Sequence, residues 1–287
     1  MQLDTIEQEF NEQGYVVLRG LLPDVVLRAV GNDLERWVDE QATALLADGL
    51  LQQAYAEQSF VRRLACLYAG HMERAPNSLR RELHWEGMFE LFFFPAVVDV
   101  VERLLGVSEI RLYPNYTVRP KFPQDAATEV LWHQDAGYTA SGPHGRDDTA
   151  AGQSVDALRM VNVWAPLVPA RRANGCMQFV PKSHRLGLAR HERRQHYLEI
   201  SAAEIAAQQA HAIDVECDPG DVVLFSNMLY HRGLPNGTDT IRWSCDWRYQ
   251  DARQSTMRSE VGHMARSLQA PETVVSSPAQ WASLSFR

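Results

Sequence analysis

Cysteine is scarce in this 287-residue chain, and its 4 residues, Cys66, Cys176, Cys217 and Cys245, stand far apart with no C-x-x-C pair. That spacing disfavours a thiolate zinc site and a disulfide framework, and reads as reduced, mostly buried thiols of a cytoplasmic protein. Basic runs are also missing. With 28 Lys and Arg against 36 Asp and Glu, a net charge of -8, the chain lacks the cationic face that phosphate backbones require, so no nucleic-acid partner is expected. Long apolar runs are absent too: the most apolar stretch, Leu91 to Leu105, is broken by Pro95, Asp99, Glu102 and Arg103. It is too short to span a bilayer, and the acidic opening MQLDTIEQEF does not resemble a secretory signal, so no membrane partner is expected. No internal repeat is visible, and no feature specifies an oligomeric state.

What is present is enough chain for one sizeable core, expected as a single domain over residues 1–287. Residues 1–106 read as mostly helical, with one short strand at Tyr15-Val16-Val17-Leu18. Apolar residues at helical spacing from Val26 to Val38 and around Phe60 to Tyr68 predict two helices, and Pro95 opens a third that Gly106 ends. Over 107–250 the period changes to short strands divided by turn residues: Ile110 to Val118, Val130 to His133, Leu158 to Leu167, Cys176 to Val180, His211 to Glu216, Val222 to Phe225 and Thr240 to Tyr249. A sandwich or barrel follows. The connections Ala136 to Asp156 and Ser183 to Glu199 read as lids, binding loops or mobile segments, and 251–287 as a C-terminal tail, loosely ordered after Glu260.

Ten histidines leave room for a metal site built from nitrogen and oxygen donors. In Trp132-His133-Gln134-Asp135, at the end of a predicted strand, alternation sends His133 and Asp135 to one side. An antiparallel sandwich can return His231 beside them. Two imidazoles and one carboxylate form a facial triad that leaves three coordination positions open, the arrangement of non-haem Fe(II) oxygenases. A 2-oxo acid cosubstrate and O2 would fill those positions. The distal carboxylate of such a cosubstrate needs a buried guanidinium, and Arg242, on the strand after the Gly233-Leu234-Pro235-Asn236-Gly237 turn, is placed to supply it. The competing role for Arg242 is an ion pair with Asp239 or Asp246.

These residues, with Gly14 to Gly20, Asn174-Gly175-Cys176, Val180-Pro181-Lys182-Ser183-His184 and Pro219 to Phe225, resemble the phytanoyl-CoA dioxygenase family of Fe(II)/2-oxoglutarate oxygenases. The resemblance implies a mainly β fold with flanking helices around a double-stranded β-helix, a jelly-roll or cupin-like core. It implies Fe(II) held by His133, Asp135 and His231, with 2-oxoglutarate as cosubstrate at Arg242. It also implies that Tyr113, Thr117 and Trp164 help to line the cosubstrate pocket. The family's serine two residues after the distal histidine is Gly233 here, and Ser244 is the substitute expected to bond the cosubstrate. Another departure is Lys182, where the family's P-G-S-H run has glycine.

The expected reaction is hydroxylation of an unactivated C–H bond in a small organic molecule, such as a secondary metabolite or an acyl or organic acid, with release of succinate and CO2. The same chemistry serves desaturation, epimerisation and cyclisation, whereas the carboxylate of Asp135 argues against halogenation. A metal-binding cupin-like isomerase or ligand-binding protein is the alternative of another class. Tyr138, Trp247 and Arg248 are expected wall residues, and Gln134 stands near enough to reach substrate. His184 is expected to make a structural hydrogen bond, and the basic stretch Arg185 to Arg194 to be either a solvated face or a substrate-recognition patch.

Overall fold

The computed structural model describes residues 2–141, 155–194 and 198–286. The helical part comprises α1 (Leu3–Gln13), α2 (Asp24–Ala47), α3 (Phe60–Tyr68), α4 (Glu86–Phe92) and α5 (Pro95–Leu105), interrupted by β1 (Tyr15–Leu18). Proline at the first turn starts α5, and Gly106 at φ 63° ends it by donating its N–H to the Glu102 carbonyl.

The strands that follow are β2 (Ile110–Leu112), β3 (Thr117–Lys121), β4 (Val130–His133), β5 (Met160–Pro166), β6 (Met177–Phe179), β7 (His191–Arg193), β8 (Leu198–Ile200), β9 (Ile213–Val215), β10 (Val222–Ser226), β11 (His231–Gly233), β12 (Arg242–Asp251) and β13 (His263–Arg266). Helices α6 (Asp135–Ser141), α7 (Ala202–Gln208) and α8 (Pro278–Ser283) stand among and after them. One sheet runs β1-β10-β5-β12-β2-β13, with β3 also on β12, and the other runs β4-β11-β6-β9. Two facing sheets make the jelly-roll core, mainly β with flanking helices.

Alternation along β12 sorts its side chains. Trp243, Cys245, Trp247 and Tyr249 join the helices' Val30, Leu34, Phe92 and Val101 in the larger core, all buried. The residues between them, Arg242, Ser244, Asp246 and Arg248, face the space between the sheets. In β5 the same parity gives Val161, Val163 and Ala165 to the helices and Trp164 to a second core with Phe179, Val223 and Phe225.

Two connections differ from expectation. The segment after Glu260 is packed rather than loose: β13 pairs with β2, and Trp281 is fully buried, stacked on His84 and donating its indole N–H to the Leu83 carbonyl. Aromatic burial on this scale outweighs the Ser and Pro content that suggested a tail. The Ser183 to Glu199 connection carries the β7–β8 hairpin. Of the Ala136 to Asp156 connection, α6 reaches Ser141, and 142–154, with His144, lie outside the described residues, as does His196.

Candidate functional site

Antiparallel pairing of β4 and β11 sets His133 directly opposite His231. Each imidazole bonds through Nδ1 to the carbonyl two residues earlier, His133 to Leu131 and His231 to Leu229, both at 2.8 Å. These bonds make Nδ1 the protonated nitrogen and leave each Nε2 lone pair facing Asp135. His133 Nε2 lies 3.7 Å from Asp135 Oδ1 and His231 Nε2 lies 3.8 Å from Oδ2. One donor atom from each of the three buried residues falls within 4.8 Å of the others.

Burial, reinforced by the charge of His231, pushes His133 down to about 3, and burial likewise lowers His231. Burial opposes ionisation of Asp135, yet Arg248, followed by His231 and His133, holds its carboxyl below the ordinary value. Two neutral imidazoles and a carboxylate are therefore ready at neutral pH without a proton to displace. That donor set suits Fe(II).

The triad opens on a cavity of about 190 Å³, more than ten times the roughly 10–15 Å³ that one water needs. Arg242, Ser244 and Trp164 line it. Arg242 is 2 % exposed and donates to the Ser244 hydroxyl, with its guanidinium carbon 5.6 Å from the Trp164 ring centre and its Nε without a hydrogen bond. Neither candidate carboxylate pairs with it: Arg62 takes Asp239, and Arg119 takes Asp246 at 2.8 Å. A buried guanidinium with no carboxylate among the described residues calls for an external anion.

Other expectations are corrected. Tyr113 does not line the cavity; its hydroxyl donates to the Thr256 carbonyl at 2.8 Å and accepts from Arg258 Nε at 3.0 Å. Thr117 is fully buried outside the lining, and Arg119, two residues on along the same side of β3, reaches the cavity with its longer side chain. Trp247 belongs to the helix-side core, while Arg248, one residue later and so of opposite parity, lines the cavity. Gln134 is a clamp beneath the site, bonded to Gly187, Met228 and Ala189, leaving it no group for a substrate. His184 bonds the Asn11 carbonyl, as a structural residue would.

The basic stretch Arg185 to Arg194 contributes nothing to the lining; Arg185 bonds Asn11, and Arg194 pairs with Glu192 and Glu199. The cavity's positive charge comes instead from Arg80, Arg119, Arg242, Arg248 and Arg258. Arg248, bonded to Asp135 and to Asn115 once that carboxamide turns its oxygen toward the guanidinium, had a usable signal in its parity with Arg242. Arg80 and Arg258, on irregular segments, had none.

The model of the phytanoyl-CoA dioxygenase family matches residues 10–244. The chain belongs to this family. It is a dioxygenase-type enzyme, and its His-Asp-His donor set fits the iron of iron and 2-oxoglutarate chemistry. A probable phytanoyl-CoA dioxygenase of Caenorhabditis elegans is 28 % identical over 62 % of the chain, a match spanning 59 % of that protein. The 1-deoxypentalenic acid 11-beta-hydroxylase of Streptomyces arenae is 24 % identical over 87 % of the chain and 81 % of its own length. Among solved structures, the non-heme monooxygenase ThoJ shares the fold at TM-score 0.61 and 19 % identity, over 95 % of this chain and 87 % of that one. The epimerase SnoN from nogalamycin biosynthesis, solved with Fe3+ and alpha ketoglutarate, shares it at TM-score 0.56 and 20 % identity, over 87 % and 84 %. No helix among the described residues is long and apolar enough to cross a membrane.

Proposed function

We propose that this enzyme uses Fe(II) and 2-oxoglutarate to hydroxylate an unactivated C–H bond of a small organic molecule. The observation that carries the reading is Arg242: a buried guanidinium without a carboxylate partner among the described residues, on the same cavity as two neutral imidazoles and a carboxylate. Iron with 2-oxoglutarate supplies O2 activation and C–H oxidation, with succinate and CO2 as co-products. His133, Asp135 and His231 would hold the metal on one side. Arg242 would bind the distal carboxylate of 2-oxoglutarate through its planar fork, with Ser244 adding a hydroxyl and Trp164 packing against the guanidinium. Burial of Arg242, Ser244 and Trp164 strengthens each of these polar contacts. The hydroxylase among the relatives supports this outcome over epimerisation or ring closure.

Purified protein supplied with Fe(II), ascorbate and 2-oxoglutarate should release succinate, and more of it in the presence of an accepted substrate. Replacing Arg242→Ala removes charge-assisted hydrogen bonds worth about 1.5–3 kcal/mol, so the KM for 2-oxoglutarate should rise roughly 10- to 100-fold while iron binding is retained. An unchanged KM would remove Arg242 from this role, and absence of succinate across a broad metabolite panel would overturn the reading as a whole.

A further inference from the structure

Among the described residues, the cavity holds more positive charge than its own carboxylates and the cosubstrate account for. Of its five arginines, Arg248 is paired with Asp135 and Arg119 with Asp246. On the reading just given, on which this inference rests, Arg242 is met by 2-oxoglutarate. Arg80, in the connection between α3 and α4, and Arg258, in the connection between β12 and β13, remain. Neither side chain forms an ion pair with a carboxylate among the described residues, and the nearby Asp246 that acts on Arg80 is already paired with Arg119.

Arg258 is nonetheless held in place. Its Nε donates to the Tyr113 hydroxyl at 3.0 Å, its guanidinium carbon lies 5.6 Å from the Tyr113 ring centre, and Tyr113 is itself tied to the Thr256 carbonyl at 2.8 Å. Fixing the Nε edge on a buried phenol orients the fork while leaving its terminal nitrogens available. Without a counter-charge, two further guanidiniums lining one cavity repel each other and their three neighbours. An anionic ligand would relieve that repulsion.

We infer that the substrate is a small carboxylic acid, its carboxylate held by Arg80 and Arg258 so that a C–H bond elsewhere in the molecule faces the His133, Asp135 and His231 cluster. A cavity of about 190 Å³ shared with 2-oxoglutarate suits a compact acid. Arg80 and Arg258 act as specificity residues: they select and orient the acid and take no part in breaking the C–H bond. Tyr113 is a positioning residue acting through Arg258.

The test is anaerobic calorimetry on enzyme loaded with Fe(II) and 2-oxoglutarate. The probes are aliphatic acids from butanoic to octanoic and a set of aryl-alkanoic acids, each compared with its primary amide. At least some acids should bind about 10-fold or more tighter than their amides. Arg80→Gln, at an exposed position, and Arg258→Gln, at a half-buried one, should each weaken acid binding about 5- to 10-fold, and the double variant should erase the preference while 2-oxoglutarate still binds. Equal binding of acid and amide throughout, no binding of either, or a preference surviving in the double variant would overturn the inference. Failure of 2-oxoglutarate to bind wild-type protein would instead sink the preceding reading, and titrating the metal-free protein would still compare acid with amide.

Discussion

Without the Arg248 guanidinium, the Asp135 carboxylate would be buried beside two neutral imidazoles with no cation bonded to it. Its Oδ1 accepts from Arg248 at 2.5 Å while lying 3.7 Å from His133 Nε2, and its Oδ2 lies 3.8 Å from His231 Nε2. Arg248 therefore keeps the carboxylate ionised and fixes its orientation beside the two imidazoles. Arg248→Met should weaken metal binding about 10- to 100-fold, as loss of a group orienting a ligand typically does. It should also cost about 3–5 kcal/mol in the metal-free protein, because a buried charge loses its partner. Co(II) titration and urea unfolding of the same variant check the two effects, and unchanged metal affinity would show that Asp135 orients itself.

At the scale of elements, β12 shows what the sequence reveals and what it conceals. Its alternation, Arg242, Ser244, Asp246 and Arg248 against Trp243, Cys245, Trp247 and Tyr249, is visible in the sequence and predicts one polar and one apolar side. Choosing Trp247 together with Arg248 as wall residues breaks that parity, and the structure enforces it. The strand–turn–strand unit linking His231 to Arg242 was equally legible, since Pro, Asn and Gly mark the turn. Concealed were the contributions of irregular segments: Arg80 and Arg258 reach the cavity through long-range packing that no local period encodes. Tail docking through Trp281 was hidden for the same reason.

Gly175 is one of those long-range fits. At φ 89° it turns the chain into β6, and a Cβ there would lie 2.4 Å from the Leu234 carbonyl oxygen and 2.7 Å from Lys121 Cδ. Gly175→Ala should therefore destabilise by more than about 1 kcal/mol, since an unfavourable φ and a backbone clash act together. Because Leu234 belongs to the turn between His231 and Arg242, affinity for 2-oxoglutarate should fall as well. Retention of wild-type values in both thermal unfolding and 2-oxoglutarate titration would show that the turn yields freely.

For the whole molecule, the net charge of -8 says little, because the positive cavity sits inside an acidic exterior that salt screens within about 8–10 Å. The buried groups dominate the pH response. Lys121, 3 % exposed, donates to the Leu234 carbonyl at 2.6 Å, and burial followed by the charges of Arg242 and Arg119 pushes its amine down to about 6. Between that value and the ordinary 10.5, the unfolded chain binds a proton that the folded chain does not. Stability must then rise with pH across this window, by about 1.4 kcal/mol per pH unit where the difference is a full proton, and fall as pH drops toward 6. Below the usual histidine range, His133, held down to about 3, adds a loss of the same sign. The buried thiols of Cys176 and Cys217, raised to about 11 and about 12, act oppositely above pH 9, so the clean interval is roughly pH 7 to 8.5. Urea unfolding of metal-free protein across that interval should show the positive slope, and Lys121→Met should flatten it while leaving the acid-side loss in place. A wild-type slope near zero would mean that Lys121 keeps its proton inside the fold, and Arg242, its cross-strand partner, would then stand beside a second full cation.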